Sequence, residues 1–247
     1  MSKQNKFDKD EMDELSDYHS SRSEKDSMAI LSILDKNFKP NKKQQEFIKT
    51  IIESDIIITH GSSGSGKTIT TLYCALQEAI KQYNKKLVLI RPVFESASQS
   101  LGSLPGDLDD KLAPHVRAFK YTLEELLGGP KLVRDLIEKD KIRFEVLNYL
   151  RGATLNNSII ICDEAQNMTL EEMMLALTRL GKNSKIIFTG DFYQTDLRKA
   201  KGSIIKFADL IKDIKGVSKF TFTSADVVRN SILVEVTRVW EEYKSKQ

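Results

Sequence analysis

The stretch Asp55-Ile56-Ile57-Ile58-Thr59-His60-Gly61-Ser62-Ser63-Gly64-Ser65-Gly66-Lys67-Thr68 decides the fold. A short β-branched run feeds a Gly/Ser-rich turn, and the turn opens directly into the helical pattern Ile69 to Tyr83. Strand, Gly-x-x-x-x-Gly-Lys-Thr and helix in that order are the context in which this spacing reads as a P-loop. Gly61, Gly64 and Gly66 let the backbone take unusual angles. Successive N–H groups from Gly61 through Ser62, Ser63, Gly64, Ser65 and Gly66 then converge on a phosphate at the helix N-terminus. Lys67 is expected to reach the β/γ oxygens, and the Thr68 hydroxyl to ligate Mg²⁺.

The second anchor is Ser158-Ile159-Ile160-Ile161-Cys162-Asp163-Glu164. An uninterrupted apolar run suggests a central parallel strand covered on both faces, delivering two carboxylates at its carboxyl end. Successive strand residues point in opposite directions, which suits two different tasks. Asp163 is expected to face the Mg²⁺ held by Thr68, and Glu164 to orient and polarise the attacking water. A further strand, Ser184 to Thr189, closes on Gly190-Asp191-Phe192-Tyr193-Gln194. There Asp191 and Gln194 would sense whether a γ-phosphate is present. Upstream, Gln44 and Gln45 lie near the start of a helical pattern opened by Pro40-Asn41. A glutamine in that place reads the adenine edge in many nucleotide-dependent motors.

Strand patterns at Lys86 to Arg91, Ile142 to Val146 and Lys219 to Phe222 alternate with helical ones. The helical patterns lie at Met28 to Leu34, Leu108 to Leu127, Lys131 to Lys139, Thr169 to Leu180, Ile204 to Ile214 and Val227 to Tyr243. This alternation predicts an α/β fold, a doubly wound sheet of five or so parallel strands between layers of helices. The stretch Phe94 to Asp107 is dense in Ser and Gly. It reads as an irregular loop at the carboxyl end of a strand, the edge where open sheets bind ligands.

The chain has 247 residues, 40% hydrophobic and 30% charged, which describes one ordinary large domain. Residues 1 to 26 are rich in Asp, Glu, Lys and Ser and read as a charged, disordered tail, with the single domain at 27 to 247. No apolar run approaches the roughly 20 residues of a membrane span. The first residues lack the apolar core of a signal peptide, so a cytoplasmic setting without membrane contact is expected. Cys74 and Cys162 each sit inside an apolar segment and read as buried thiols. A net charge of +3 is too small to imply nucleic-acid binding by itself. No further cluster of acidic, His and Cys residues supports a nuclease. The acid pair with Gly-Asp-x-x-Gln fits water activation better than a small-molecule kinase.

Taken together, the motifs resemble those of PhoH-like proteins. These motifs are Gln44, the Gly61 to Thr68 loop, Arg91-Pro92, Leu104-Pro105-Gly106-Asp107, Arg151-Gly152, Asp163-Glu164-Ala165-Gln166-Asn167, Thr178-Arg179, Gly190-Asp191 with Gln194 and Asp196, and Asp226-Val227-Val228-Arg229. The resemblance spans about residues 40 to 245. Ser62-Ser63 and Ser65 stand where the family usually has Pro-Ala and Thr, and Asn230 stands where a His is usual. The resemblance implies a three-layer, RecA-like P-loop fold similar to the first motor domain of superfamily 1 helicases. It implies a phosphate-starvation-associated ATPase that uses ATP and Mg²⁺ and acts on RNA or other single-stranded nucleic acid. Short chains of this kind resemble those encoded by bacteriophages. P-loop hydrolysis commonly needs an arginine on the transferring phosphoryl group. Arg151, Arg179 and Arg229 are the candidates, expected to act from a neighbouring subunit of a ring-like homo-oligomer, a hexamer by the resemblance. Candidate nucleic-acid contacts are the Arg91 to Gly106 loop, with Ser96, Ser98 and Ser100, and the Lys199 to Lys201 turn. A competing expectation is a nucleotide-gated interaction module with slow hydrolysis and no unwinding.

Overall fold

The computed structural model describes residues 24–61, 64–92, 108–191, 203–226 and, beyond them, 232, 234–236, 238–239 and 243. Helix α1 spans 24–37, so it takes in the last residues read as tail and extends past the apolar segment Met28 to Leu34. The elements that follow are α2 (Lys42–Glu53), β1 (Ile56–His60), α3 (Lys67–Lys81), β2 (Lys86–Ile90), α4 (Leu108–Leu127), α5 (Pro130–Glu138), β3 (Ile142–Glu145), β4 (Ser158–Cys162), α6 (Leu170–Leu177), β5 (Lys185–Gly190), α7 (Ser203–Ile211) and β6 (Val217–Thr221). The described positions from 232 to 243 are helical, where the sequence pattern predicts the last helix.

Among the described residues six strands form one sheet in the order β3-β2-β4-β5-β1-β6, with every pairing parallel. Parallel strands are covered on both faces, and alternate residues show it. Ile57, Leu87, Leu89, Ile159, Ile161 and Ile187 enter one core with α1 to α5. Ile58, Val88, Ile90, Ile160, Cys162, Ile186 and Phe188 enter the other with α6 and α7. The result is a three-layer, RecA-like α/β fold. Each fully buried Ile in β4 contributes about 1.5–3 kcal/mol, which makes this strand the rigid axis of the sheet. Both cysteines are free and buried, and burial pushes the Cys74 thiol up to about 12.

Two boundaries differ from the periodicity. The helical pattern Thr169 to Leu180 ends at Leu177 because Leu180 pairs with Leu155 in an isolated parallel bridge and the Leu155 N–H donates to the Arg179 carbonyl. The last strand lies at 217–221 rather than 219–222 because Ile56 sets its register against Val217. Phe222, just past it, stacks edge-on against Phe47 of α2 and donates its N–H to the His60 carbonyl. Among the described residues no helix is long and apolar enough to cross a membrane.

Candidate phosphate-binding and hydrolytic site

The sheet order places β5 between β1 and β4, so the residues that follow these three strands share one edge. That edge lies at the carboxyl ends of the strands, where open α/β sheets hold ligands.

β1 delivers Gly61, whose φ of +151° and close approach to Phe222 exclude a side chain: a Cβ there would meet the Phe222 carbonyl oxygen at 2.3 Å. Gly66 caps α3 in the left-handed region at φ 83° with no side-chain cap bond, and a helix N-terminus in this place favours an anion. Ser65 is fully buried beneath the turn, whereas Ser62 and Ser63 lie outside the described residues. Lys67 folds back along the loop, its Nζ donating to the Gly61 carbonyl at 2.6 Å. Burial pushes the Lys67 amine below its ordinary range, and the Asp191, Asp163 and Glu164 carboxylates, in that order, push it back up.

β4 delivers the acid pair. Asp163 is 6% exposed and accepts hydrogen bonds on Oδ1 from the hydroxyls of Thr68, at 3.1 Å, and Thr189. Burial first, then the neighbouring Glu164, pushes the Asp163 carboxyl above the usual carboxylate range. A buried carboxylate next to a hydroxyl, with oxygen donors only, suits a hard divalent cation such as Mg²⁺. Thr68 and Asp163 would hold it, and its charge would relieve the desolvated carboxylate. Glu164 follows with a left-handed backbone, φ 55° and ψ 36°, which costs about 1–3 kcal/mol in a residue with a side chain. The strained turn frees Glu164 from the strand direction. Its Oε1 accepts from Arg91 Nη2 at 3.0 Å, and its Oε2 from Gln166 Nε2 at 2.6 Å.

β5 delivers Asp191, buried, whose backbone N–H donates to Gln166 Oε1 at 3.1 Å. Gln166 thereby ties the end of β5 to Glu164.

Other candidates are placed differently. The Gln44 side chain is buried within the capping box of α2, its Oε1 accepting from the Asn41 N–H at 2.9 Å. Its amide lies against the loop, since a Cβ on Gly66 would meet Gln44 Nε2 at 2.5 Å. Gln44 thus supports the loop with the groups assigned to an adenine edge. Arg179 is not beside the acid pair. Its guanidinium donates to the carbonyls of Leu150 and Ala153 and its Nε to that of Leu175, tying the end of α6 to the segment before β4. This is the edge where β4 and β5 begin, opposite the phosphate site. Arg151 is exposed in the same segment. Gln194, Asp196 and Arg229 lie outside the described residues, as do Ser96, Ser98 and Ser100 of the 93–107 loop and the Lys199 to Lys201 turn.

Residues 38–241 match the model of the PhoH-like protein family. The chain belongs to this family. It is similar to the PhoH-like protein of Synechocystis, 38% identical over 200 residues that cover 81% of this chain and 60% of that one. The Bacillus subtilis PhoH-like protein is 36% identical over 81% of this chain and 62% of its own length. The Escherichia coli K12 Protein PhoH is 33% identical over 78% and 54%. The match therefore spans under two thirds of the relatives' length. Among solved structures, the large terminase of a thermophilic bacteriophage aligns with a TM-score of 0.47 and 16% identity, over 80% of this chain and 49% of that one. The Pyrococcus furiosus Hef helicase domain aligns with a TM-score of 0.48 and 14% identity, over 76% and 40%.

Three residues of this PhoH-like chain join the site without having been singled out for it: Arg91, Gln166 and Thr189. Arg91 and Gln166 stand within sequence motifs of the resemblance, and Arg91 also opens the loop expected to meet nucleic acid, but neither was expected to touch Glu164. Thr189 looked like an ordinary strand residue. Asp163 would keep the Thr68 donor, so Thr189→Val should lower stability by the net worth of one hydrogen bond, about 0.5–1.5 kcal/mol, in urea denaturation. Wild-type stability in this variant would show that the Thr189 hydroxyl does not hold Asp163.

Proposed function

We propose that this chain is a Mg²⁺-dependent ATPase whose turnover is coupled to RNA or another single-stranded nucleic acid. The observation that carries the reading is the convergence of the Gly61 to Thr68 turn with Asp163: Thr68 and Asp163 share a hydrogen bond although they come from β1's loop and β4. Bound Mg²⁺ would supply neutralisation of charge on the β- and γ-oxygens. Lys67 would leave the Gly61 carbonyl to pair with those oxygens, and the N–H groups of the first turn of α3 would hold the phosphate chain. Glu164 would orient a water in line with the γ-phosphorus and take its proton as ADP leaves. The arginine for the transferring group would come from a neighbouring subunit of a ring, with Arg151, Arg179 and Arg229 as the candidates. Arg151 and Arg179 lie on an edge that a second copy can present.

The nucleic-acid half rests on family membership and on the phosphate-site edge, where Arg91 stands half-buried. A second reading, a slowly hydrolysing nucleotide-gated module, is favoured by the engagement of both Glu164 oxygens. ATPase assays decide between them. The expected result is phosphate release that is abolished by a chelator and stimulated several-fold by single-stranded RNA. Turnover indifferent to RNA would leave the gated module, and turnover indifferent to the chelator would remove the Mg²⁺ assignment.

A further inference from the structure

We propose that Arg91 is a positioning residue that holds Glu164 in a low-turnover pose, and that a phosphate group competing for its guanidinium releases the carboxylate. The inference rests on the ATPase reading. Its ground is the asymmetry of the two contacts on Glu164. Gln166 is 3% exposed and fixed at its other end by the Asp191 N–H, so its 2.6 Å bond to Oε2 belongs to the frame of the sheet edge. Arg91 follows the last residue of β2, and its side chain is 21% exposed, so the partner free to let go is the guanidinium.

Held from both sides, the carboxylate lies between Arg91 and Gln166. The two donors fix the direction of the carboxylate, so turning an oxygen toward an attacking water means loosening one of them. A guanidinium binds phosphate in the same bidentate way as it binds carboxylate, so a phosphate oxyanion is the chemical class able to draw it away. Two sources carry that group: the nucleotide, and the backbone of a nucleic acid.

The test uses the full chain with Arg91→Met, which keeps the aliphatic stem without the charge, and Arg91→Lys, which keeps the charge without the fork. Turnover is measured at saturating Mg²⁺, because Arg91 also favours the charged form of Asp163. The expected result is a several-fold higher kcat in Arg91→Met at unchanged KM for ATP, with Arg91→Lys between it and wild type. Glu164→Gln should abolish the gain when added to Arg91→Met. A residue needed only for the fold or for substrate binding would not raise kcat. If a single-stranded oligoribonucleotide stimulates wild type but not Arg91→Met, the releasing phosphate is the nucleic acid's. Equal stimulation of both assigns it to the nucleotide.

A kcat at or below wild type in an Arg91→Met protein that still binds ATP overturns the proposal. Where that variant does not fold, a structure of wild type with a nonhydrolysable ATP analogue and oligonucleotide decides: the Arg91–Glu164 bond should be broken, and its retention overturns the brake. No turnover in wild type, Arg91→Met and Glu164→Gln alike, with or without oligonucleotide, removes the ATPase reading and the brake with it.

Discussion

Glu164→Gln is expected to bind ATP as wild type does and to hydrolyse it about 10²–10⁴-fold more slowly, the usual worth of a positioned general base. Lys67→Ala is expected to do the opposite. Losing a charge-assisted hydrogen bond of about 1.5–3 kcal/mol weakens nucleotide affinity by about 10- to 150-fold. The separation follows from where the two side chains act. Lys67 Nζ lies along the loop at the Gly61 carbonyl, within reach of whatever anion the loop holds. Glu164 projects from a left-handed turn beyond Asp163 and touches Arg91 and Gln166. An amide at 164 keeps the shape of the carboxylate but can accept from only one of those donors with its oxygen. A small stability loss is therefore expected alongside intact binding. Titration with a fluorescent ATP analogue and single-turnover hydrolysis read the two effects apart. Equal losses of affinity in both variants would contradict the assigned roles.

The parts of this site that were legible in the sequence are those whose signal is local. Gly61, Gly64, Gly66, Lys67 and Thr68 are consecutive or nearly so, and the run Ile159 to Ile161 announces a buried strand ending in Asp163-Glu164. Thr189 was not legible, because its contact with Asp163 exists only through the pairing of Cys162 with Phe188 across β4 and β5. Nor was the Arg91 contact, which depends on Ile90 lying opposite Cys162. Arg179 was named through the resemblance alone, and its guanidinium donates to the Leu150 and Ala153 carbonyls at the edge opposite the phosphate site, contacts that no local pattern announces. The fold class followed from alternating periodicities. The end of α6 did not, because the Leu155–Leu180 bridge overrides a helical pattern that continues past it.

The edge of the sheet opposite the phosphate site carries the other large expected effect. Glu78→Ala should cost about 3–5 kcal/mol of stability, as is usual when one member of a buried ion pair is removed. Glu78 lies near the far end of α3, between two lysines whose side chains are 6% and 9% exposed. Lys85 Nζ is 2.6 Å from it and Lys185 Nζ 3.3 Å. Lys185 has a second task, donating to the Ile51 carbonyl at 2.7 Å and so closing the end of α2 beside the first residue of β5. Without Glu78, two ammonium groups remain in a desolvated place, and the carbonyl contacts at the end of α2 serve Lys185. The sequence hides this arrangement, since Glu78, Lys85 and Lys185 are brought together only by the packing of α3 on the sheet. Urea denaturation measures the loss. A cost below about 1 kcal/mol would show that water screens the triad, as it does exposed pairs. Replacing Glu78 by Leu and Lys85 by Met together should recover much of the stability, because well-packed apolar groups often match a buried pair. Nucleotide affinity of the folded fraction should stay at the wild-type value, since α3 presents its N-terminal turn to the phosphates and Glu78 to the opposite edge.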